Sequence, residues 1–179
     1  MSLIKKIILI NPNPFINSSE KPNQSLVKLG IKLKSIIGTT SKVEFSNIGS
    51  IKTDKSILLL GDDQDYIYIA STLVPLLGIN WLPKCESLNI DRDINIDPII
   101  SDIKEHDNYE YVIIIADAKI NRALSEYYTS EKNIILPNAD CFSMIYGIIL
   151  DFKNEDLDFI SYIRIPRESF KNIKPEPIK

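Results

Sequence analysis

The stretch KKIILINPNP, residues 5–14, decides how the rest of the sequence is interpreted. Its apolar run, Ile7 to Ile10, is short and mostly β-branched, which predicts a buried strand. The Asn-Pro-Asn-Pro segment that follows is turn chemistry, because proline cannot donate a hydrogen bond to a central strand pair. We therefore expect residues 11–22 to form a loop leaving the carboxyl end of a first strand. The run is too short for a signal-peptide core or a membrane span.

Two further apolar runs have the same character and predict two more buried strands, SILLL at 56–60 and YVIII at 111–115. Helical spacing of apolar residues predicts helices over 24–37, 66–77, 97–106 and 118–128. Further short strands are predicted over 43–45, 141–151 and 158–165, and residues 81–86 are predicted to be irregular. Continuous apolar strands alternating with helices indicate a mostly parallel sheet that is covered on both faces. The predicted fold class is thus a three-layer α/β/α sandwich, with one domain over 1–170 and a loose tail over 171–179.

Composition excludes several classes of protein. The chain has 179 residues, 44% of them hydrophobic and 25% charged, which suits a single folded domain. A net charge of −3 gives no drive toward nucleic acid or an anionic membrane, so neither is expected as a partner. Cys85 and Cys141 match no metal or redox spacing, and we expect both to be core or near-core thiols in a reducing, cytoplasmic setting. Six glycines form no phosphate cradle or dinucleotide fingerprint, so no cofactor is predicted.

The loops after the three central strands are the expected ligand region. In parallel sheets, ligands bind beyond the carboxyl ends of the strands. Here those loops are 11–19, 61–65 and 116–119. Their polar residues predict one electronegative, ligand-binding cleft, formed by Asn11, Asn13, Asp63, Asp65 and Asp117.

The order of these loops resembles the histidine phosphatase superfamily, which includes phosphoglycerate mutase. That family opens with a lysine-flanked apolar strand running into Arg-His-Gly, and KIILI into Asn11-Pro12-Asn13 is the counterpart here. The segment QSLVKLG at 24–30 is similar to the family's Gln-rich helix start and Leu-Gly step. Leu77-Gly78-Ile79 resembles its helix ending, and VIIIADA at 112–118 stands where a strand runs into a second His-Gly. The resemblance covers roughly residues 5–150 and implies a phosphoglycerate mutase-like sandwich.

The family's catalytic residues are replaced in this sequence. The resemblance implies a phosphoryl-accepting histidine, a second histidine and two arginines that stabilise charge, and an acid that protonates the leaving oxygen. Asn11 and Asp65 stand in place of the arginines, and Pro12 and Asp117 in place of the histidines. Glu86 alone matches the acid, and the resemblance implies that it covers the same cleft as a sixth ligand-binding residue. Proline has no nucleophilic side chain. We therefore expect a pseudoenzyme without phosphatase or mutase activity, having a regulatory or binding role toward an unknown small ligand or protein.

The only histidine, His106, offers no substitute. It precedes the strand predicted at 111–115, and five strand residues at about 3.3 Å each place it roughly 17 Å from the ligand cleft. We expect it to be a solvated surface residue.

Two interpretations of the acidic loops remain open. In one, they bind a divalent cation or an amine, and the chain is an enzyme of different chemistry, a metal-assisted hydrolase. In the other, Asp62 or Asp63 caps the following helix and the remaining acids are simply solvated. No specific metal ligands are assigned, and formation of a homodimer is left open.

Overall fold

A computed structural model of the chain describes residues 2–16, 24–37, 55–82, 85–89, 94–132, 134–138, 141 and 145–164. Its centre is a six-stranded sheet in the order β3-β2-β4-β1-β5-β6. The strands are β1 (Lys6–Ile10), β2 (Ser56–Leu60), β3 (Asn80–Leu82), β4 (Tyr111–Ile115), β5 (Gly147–Lys153) and β6 (Asp156–Ile163). The first four strands pair in parallel, and β5 and β6 add an antiparallel hairpin beside β1.

The register of the parallel strands aligns their carboxyl ends. Ile115 of β4 lies opposite Ile10 of β1 on one side and Leu60 of β2 on the other. The residues that follow, Asn11, Gly61 and Ala116, therefore leave the sheet at one edge, called here the carboxyl edge.

Helices cover both faces, as the sequence predicted. They are α1 (Asn13–Ile16), α2 (Gln24–Ile37), α3 (Gln64–Leu77), α4 (Asp97–Glu105) and α5 (Ala118–Thr129), with a short 3-10 helix at Glu86–Leu88. Alternate strand residues enter two apolar cores. Ile8 and Ile10 pack with α1, α2 and α3, whereas Ile7 and Leu9 pack with α4 and α5. The three-layer α/β/α sandwich with a mostly parallel sheet is thus confirmed.

The loop predicted over 11–22 was wrong in part, because it contains helix α1. Proline is tolerated in the first turn of a helix, where its missing N–H has no helical partner. Pro14 occupies such a position, and Phe15 next to it is buried, with its ring 5.4 Å from that of Tyr146. Burial of one aromatic side chain therefore orders a segment whose prolines suggested only a turn.

Other boundaries also differ from the sequence prediction. Helix α3 begins at Gln64 rather than 66, while α4 ends at Glu105 and α5 at Thr129. The segment 81–86 is not irregular throughout, since it includes part of strand β3 and the start of the 3-10 helix. Three residues are too few to show a periodic pattern, so β3 is evident only from its pairing with β2.

The last two strands form a hairpin that begins later than predicted. Strand β5 starts at Gly147, not near 141, and β6 starts at Asp156. The turn between them uses Asn154 and Glu155 at φ 53° and 70°. Positive φ at both central residues suits the right-handed twist of a hairpin. The strand predicted at 43–45 and the tail at 171–179 lie outside the described residues.

The two cysteines have different environments. Cys85 is buried, as predicted, but Cys141 is exposed, which corrects the expectation of a core or near-core thiol. The Cys141 backbone N–H donates to the Asn138 carbonyl at 2.9 Å, and the residue lies outside strand β5. No helix in the described ranges has the length and apolar character needed to cross a membrane.

Candidate functional site

Asn11 forms the floor of the carboxyl edge. Its side chain is 2% exposed, and its Oδ1 accepts a hydrogen bond from the Asn13 backbone N–H at 3.2 Å. Its own N–H donates to the Tyr146 carbonyl at 3.1 Å, which joins the end of β1 to the start of β5. Such side-chain-to-backbone bonds are typical of asparagine in turns. Asn11 and Asn13 are therefore in contact within one turn at the end of β1.

Asn121 joins the ends of β1 and β4 beneath this floor. Its Nδ2 donates to the Ile10 carbonyl at 3.2 Å and to the Ala116 carbonyl at 2.8 Å. The side chain is 3% exposed, and its Oδ1 is buried without a hydrogen-bond partner among the residues that the structure describes. The sequence analysis assigned Asn121 no role at the site. Its position one turn into a predicted helix was visible in the sequence, but a sequence does not show that a single polar residue is buried.

Two of the predicted ligand residues are helix caps. Asp63 Oδ1 accepts from the Asp65 N–H at 2.8 Å, and Asp117 Oδ1 accepts from the Ile120 N–H at 2.8 Å. A carboxylate at this position satisfies a backbone donor that has no helical partner and lies at the positive end of the helix dipole. The capping interpretation is thus confirmed for Asp63, and it extends to Asp117.

Tyr66 shows that three of the acids share one region. Burial of the phenol and, in decreasing order of effect, the negative charges of Asp117, Asp63 and Asp65 together raise the pKa of Tyr66 to about 12. These acids belong to the starts of α3 and α5, which begin on neighbouring strand ends. Tyr66 also packs against the α2–α3 core. Its second property, a phenol beside three carboxylates, was not evident from its position in the chain.

The segment that carries Glu86 is fastened to the end of β2. The Cys85 N–H donates to the Leu60 carbonyl at 2.8 Å, and the Asp62 N–H donates to Asn89 Oδ1 at 2.8 Å. Glu86 itself is exposed. No contact joins its carboxylate to the other acids in the described part of the chain. Convergence of all six predicted ligand residues in a single cleft stays a prediction.

The residues that the structure describes form no metal cluster in this region. Among the residues that it describes, no group of three or more His, Cys, Asp and Glu side chains is placed to hold a metal ion. The nearest arginine in sequence, Arg122, is engaged elsewhere, because its Nε donates to Glu126 Oε1 at 2.7 Å within α5.

His106 lies at the opposite end of the sheet. It follows the last residue of α4 and precedes Tyr111, where β4 begins. Its Nδ1 lies 2.7 Å from the Asp102 carbonyl oxygen, and its ring centroid lies 6.1 Å from that of Tyr109. The expectation of a solvated surface residue is corrected: His106 is half-buried and hydrogen-bonded to its own helix.

Comparisons with known proteins bear on the fold. No protein-family model matches this sequence, and comparison with curated proteins gives no match either. Among solved structures, the chain is similar to a phosphoglycerate mutase from Plasmodium falciparum, with a TM-score of 0.55 and 15% sequence identity. The match covers 98% of this chain and 97% of that one. The chain therefore has a phosphoglycerate mutase-like fold, that of the histidine phosphatases, over nearly its whole length.

Proposed function

We propose that the chain is a non-catalytic member of the histidine phosphatase superfamily, with a binding or regulatory role at the carboxyl edge. The observation that carries this proposal is Pro12. It directly follows Asn11 at the exit of β1, where the family resemblance places the phosphoryl-accepting histidine. Pro12 is buried, and its ring offers no atom that can attack phosphorus.

His106 does not replace that nucleophile. It is the only histidine of the chain, so phosphohistidine chemistry would have to use it. The length of β4 separates it from the carboxyl edge, which amounts to roughly 17 Å for five residues. One of its ring nitrogens already faces a backbone carbonyl oxygen at 2.7 Å. A phosphate ester bound at the carboxyl edge would be out of its reach.

The charges around Tyr66 also argue against phosphate transfer. Catalysis of that reaction depends on positive charge aimed at the transferring group. Asp63, Asp65 and Asp117 bring negative charge to this region instead. We therefore propose a neutral or cationic ligand for this edge. We do not propose a metal-assisted hydrolase, because Asp63 and Asp117 each use a carboxylate oxygen to cap a helix.

A turnover assay with generic phosphate esters and phosphoglycerates tests this proposal. We expect no turnover above buffer at acidic, neutral or mildly alkaline pH. Pro12→His should not create activity, since Asn11, Asp65 and Asp117 still supply no positive charge. Turnover by the wild type that disappears in Glu86→Ala, with the thermal unfolding midpoint unchanged, would contradict the proposal.

Binding of inorganic phosphate is the second measurement. We expect titration to leave the backbone amide resonances of residues 61–65 and 116–119 unmoved. Saturable shifts in these loops would overturn the electrostatic argument. A further titration with a small primary amine at matched ionic strength distinguishes the charge preference from general ionic effects.

A further inference from the structure

A cleft lies at the amino end of the sheet, away from the carboxyl edge. It has a volume of about 320 Å³, within the usual range for small-molecule sites. The N-terminal segment, the end of α4, the end of α5 and the β5–β6 turn surround it. Its apolar lining consists of Ile4, Ile7, Ile103, Tyr128 and Phe152.

Two aromatic rings form one wall of this amino-end cleft. Tyr128 and Phe152 meet edge to face, with centroids 5.3 Å apart and planes at 79°. The Phe152 N–H donates to the Lys5 carbonyl at 2.8 Å, which fixes the strand behind the wall. The Tyr128 hydroxyl has no hydrogen-bond partner among the described residues. This wall is therefore a rigid apolar surface that carries one unused polar group.

The rim of the cleft carries one positive and one negative side chain from the end of α4. Lys104 and Asp107 both line the cleft and lie three residues apart, with the Asp107 N–H donating to the Lys104 carbonyl at 3.2 Å. Within the described ranges, neither side chain has an ion-pair partner. Glu155, the other acid of the rim, is already engaged, since it accepts from the Ser2 N–H at 2.8 Å.

We propose that this cleft binds a small zwitterion with an apolar side chain, of which a free hydrophobic amino acid is the simplest example. The apolar side chain lies against Tyr128 and Phe152. Its carboxylate pairs with Lys104 and its ammonium group with Asp107. Each charge of the ligand thus meets an opposite charge on the rim that has no ion-pair partner among the described residues, while the lining excludes water from the apolar part.

Titration with L-phenylalanine, followed by amide resonances, tests the proposal. We expect saturable shifts at the residues of the cleft and at none of the residues 61–65. Phenethylamine lacks the carboxylate and phenylacetate lacks the ammonium group. Each should bind about fivefold more weakly, because one exposed charge pair contributes modestly.

Two variants assign the charges to the two side chains. Lys104→Gln should weaken L-phenylalanine about fivefold but leave phenethylamine unchanged, and Asp107→Asn should weaken L-phenylalanine but leave phenylacetate unchanged. Lys132→Gln, an exposed substitution beyond α5, is the matched control and should have no effect. All three side chains are exposed, so folding is not at risk.

Three results would overturn the proposal. They are the absence of saturable binding of L-phenylalanine at millimolar concentration, equal weakening by Lys132→Gln, and shifts confined to the carboxyl edge. None of them bears on the proposed lack of phosphatase activity, because the two sites lie at opposite ends of the sheet.

Discussion

Replacing Asn121 by alanine should destabilise the protein by about 2 kcal/mol. The substitution removes two buried hydrogen bonds, to the carbonyls of Ile10 and Ala116, at about 1 kcal/mol each. The Ile10 carbonyl still accepts a hydrogen bond from the Ala116 N–H at 3.2 Å, so losing its bond to Asn121 costs less than losing the bond to the Ala116 carbonyl. Removal of the buried Oδ1, which has no hydrogen-bond partner in the described part of the chain, offsets part of the loss of side-chain packing.

Asn121→Asp should cost more, about 3 to 5 kcal/mol near neutral pH. It keeps the size of the side chain but places a buried carboxylate against two carbonyl oxygens. Burial and these oxygens raise the pKa of the new carboxyl in the folded state. The folded variant then binds a proton more readily than its unfolded chain, so its stability rises as the pH falls.

Urea denaturation of the three proteins measures these differences. The control is Asn108→Ala, an exposed position, which should change the free energy of unfolding by no more than about 0.5 kcal/mol. The reasoning is refuted if Asn121→Ala is as stable as this control. It is refuted equally if Asn121→Asp and Asn121→Ala lose the same stability at every pH.

Three further predictions concern other parts of the fold. Gly61→Ala places a methyl group 3.3 Å from a backbone carbonyl oxygen of the 3-10 helix, so hydrogen exchange of the backbone amides in 85–89 should become faster. Unchanged exchange rates there would contradict this. Burial raises the pKa of the Cys85 thiol to about 11, so little of its reactive thiolate form is present near neutral pH and a thiol reagent should label the exposed Cys141 first. Equal labelling rates for the two cysteines would refute this prediction. The hydrogen bond from Lys5 lowers the pKa of the folded Glu110 carboxyl, so the stabilisation it gives is present above pH 4.5 and lost as the pH falls through the folded pKa. The loss of unfolding free energy in Glu110→Gln should therefore vanish in acid, and a loss that stays constant with pH would exclude this linkage.

The layers of the fold were predictable because burial on both faces leaves a direct trace in a sequence. The strands at 56–60 and 111–115 are apolar at nearly every position, and the structure places them side by side in the sheet. Helix α1 and strand β3 have no comparable run of apolar residues in the sequence. The first is ordered by burial of Phe15, and the second by pairing with β2; both depend on contacts distant in sequence.

The candidate site was predictable in its position and less so in its contacts. Parallel strands deliver their carboxyl ends to one edge, so Asn11, Asp63 and Asp117 could be placed near it from strand order alone. The amide contacts of Asn121 could not be foreseen. They depend on the separation of the Ile10 and Ala116 carbonyls, which the pairing of β1 with β4 determines.

The acids at the carboxyl edge have a structural role and an electrostatic consequence at once. Asp63 and Asp117 cap two helices, whose dipoles partly compensate their charge. The compensation is incomplete at Tyr66, because both carboxylates still raise its pKa beyond the effect of burial. If Pro12 were the only change from the family pattern, the edge could still bind phosphate and would lack only the nucleophile. Here the acids also make the edge negative, so under the proposed function we expect weak phosphate binding together with the lack of catalysis.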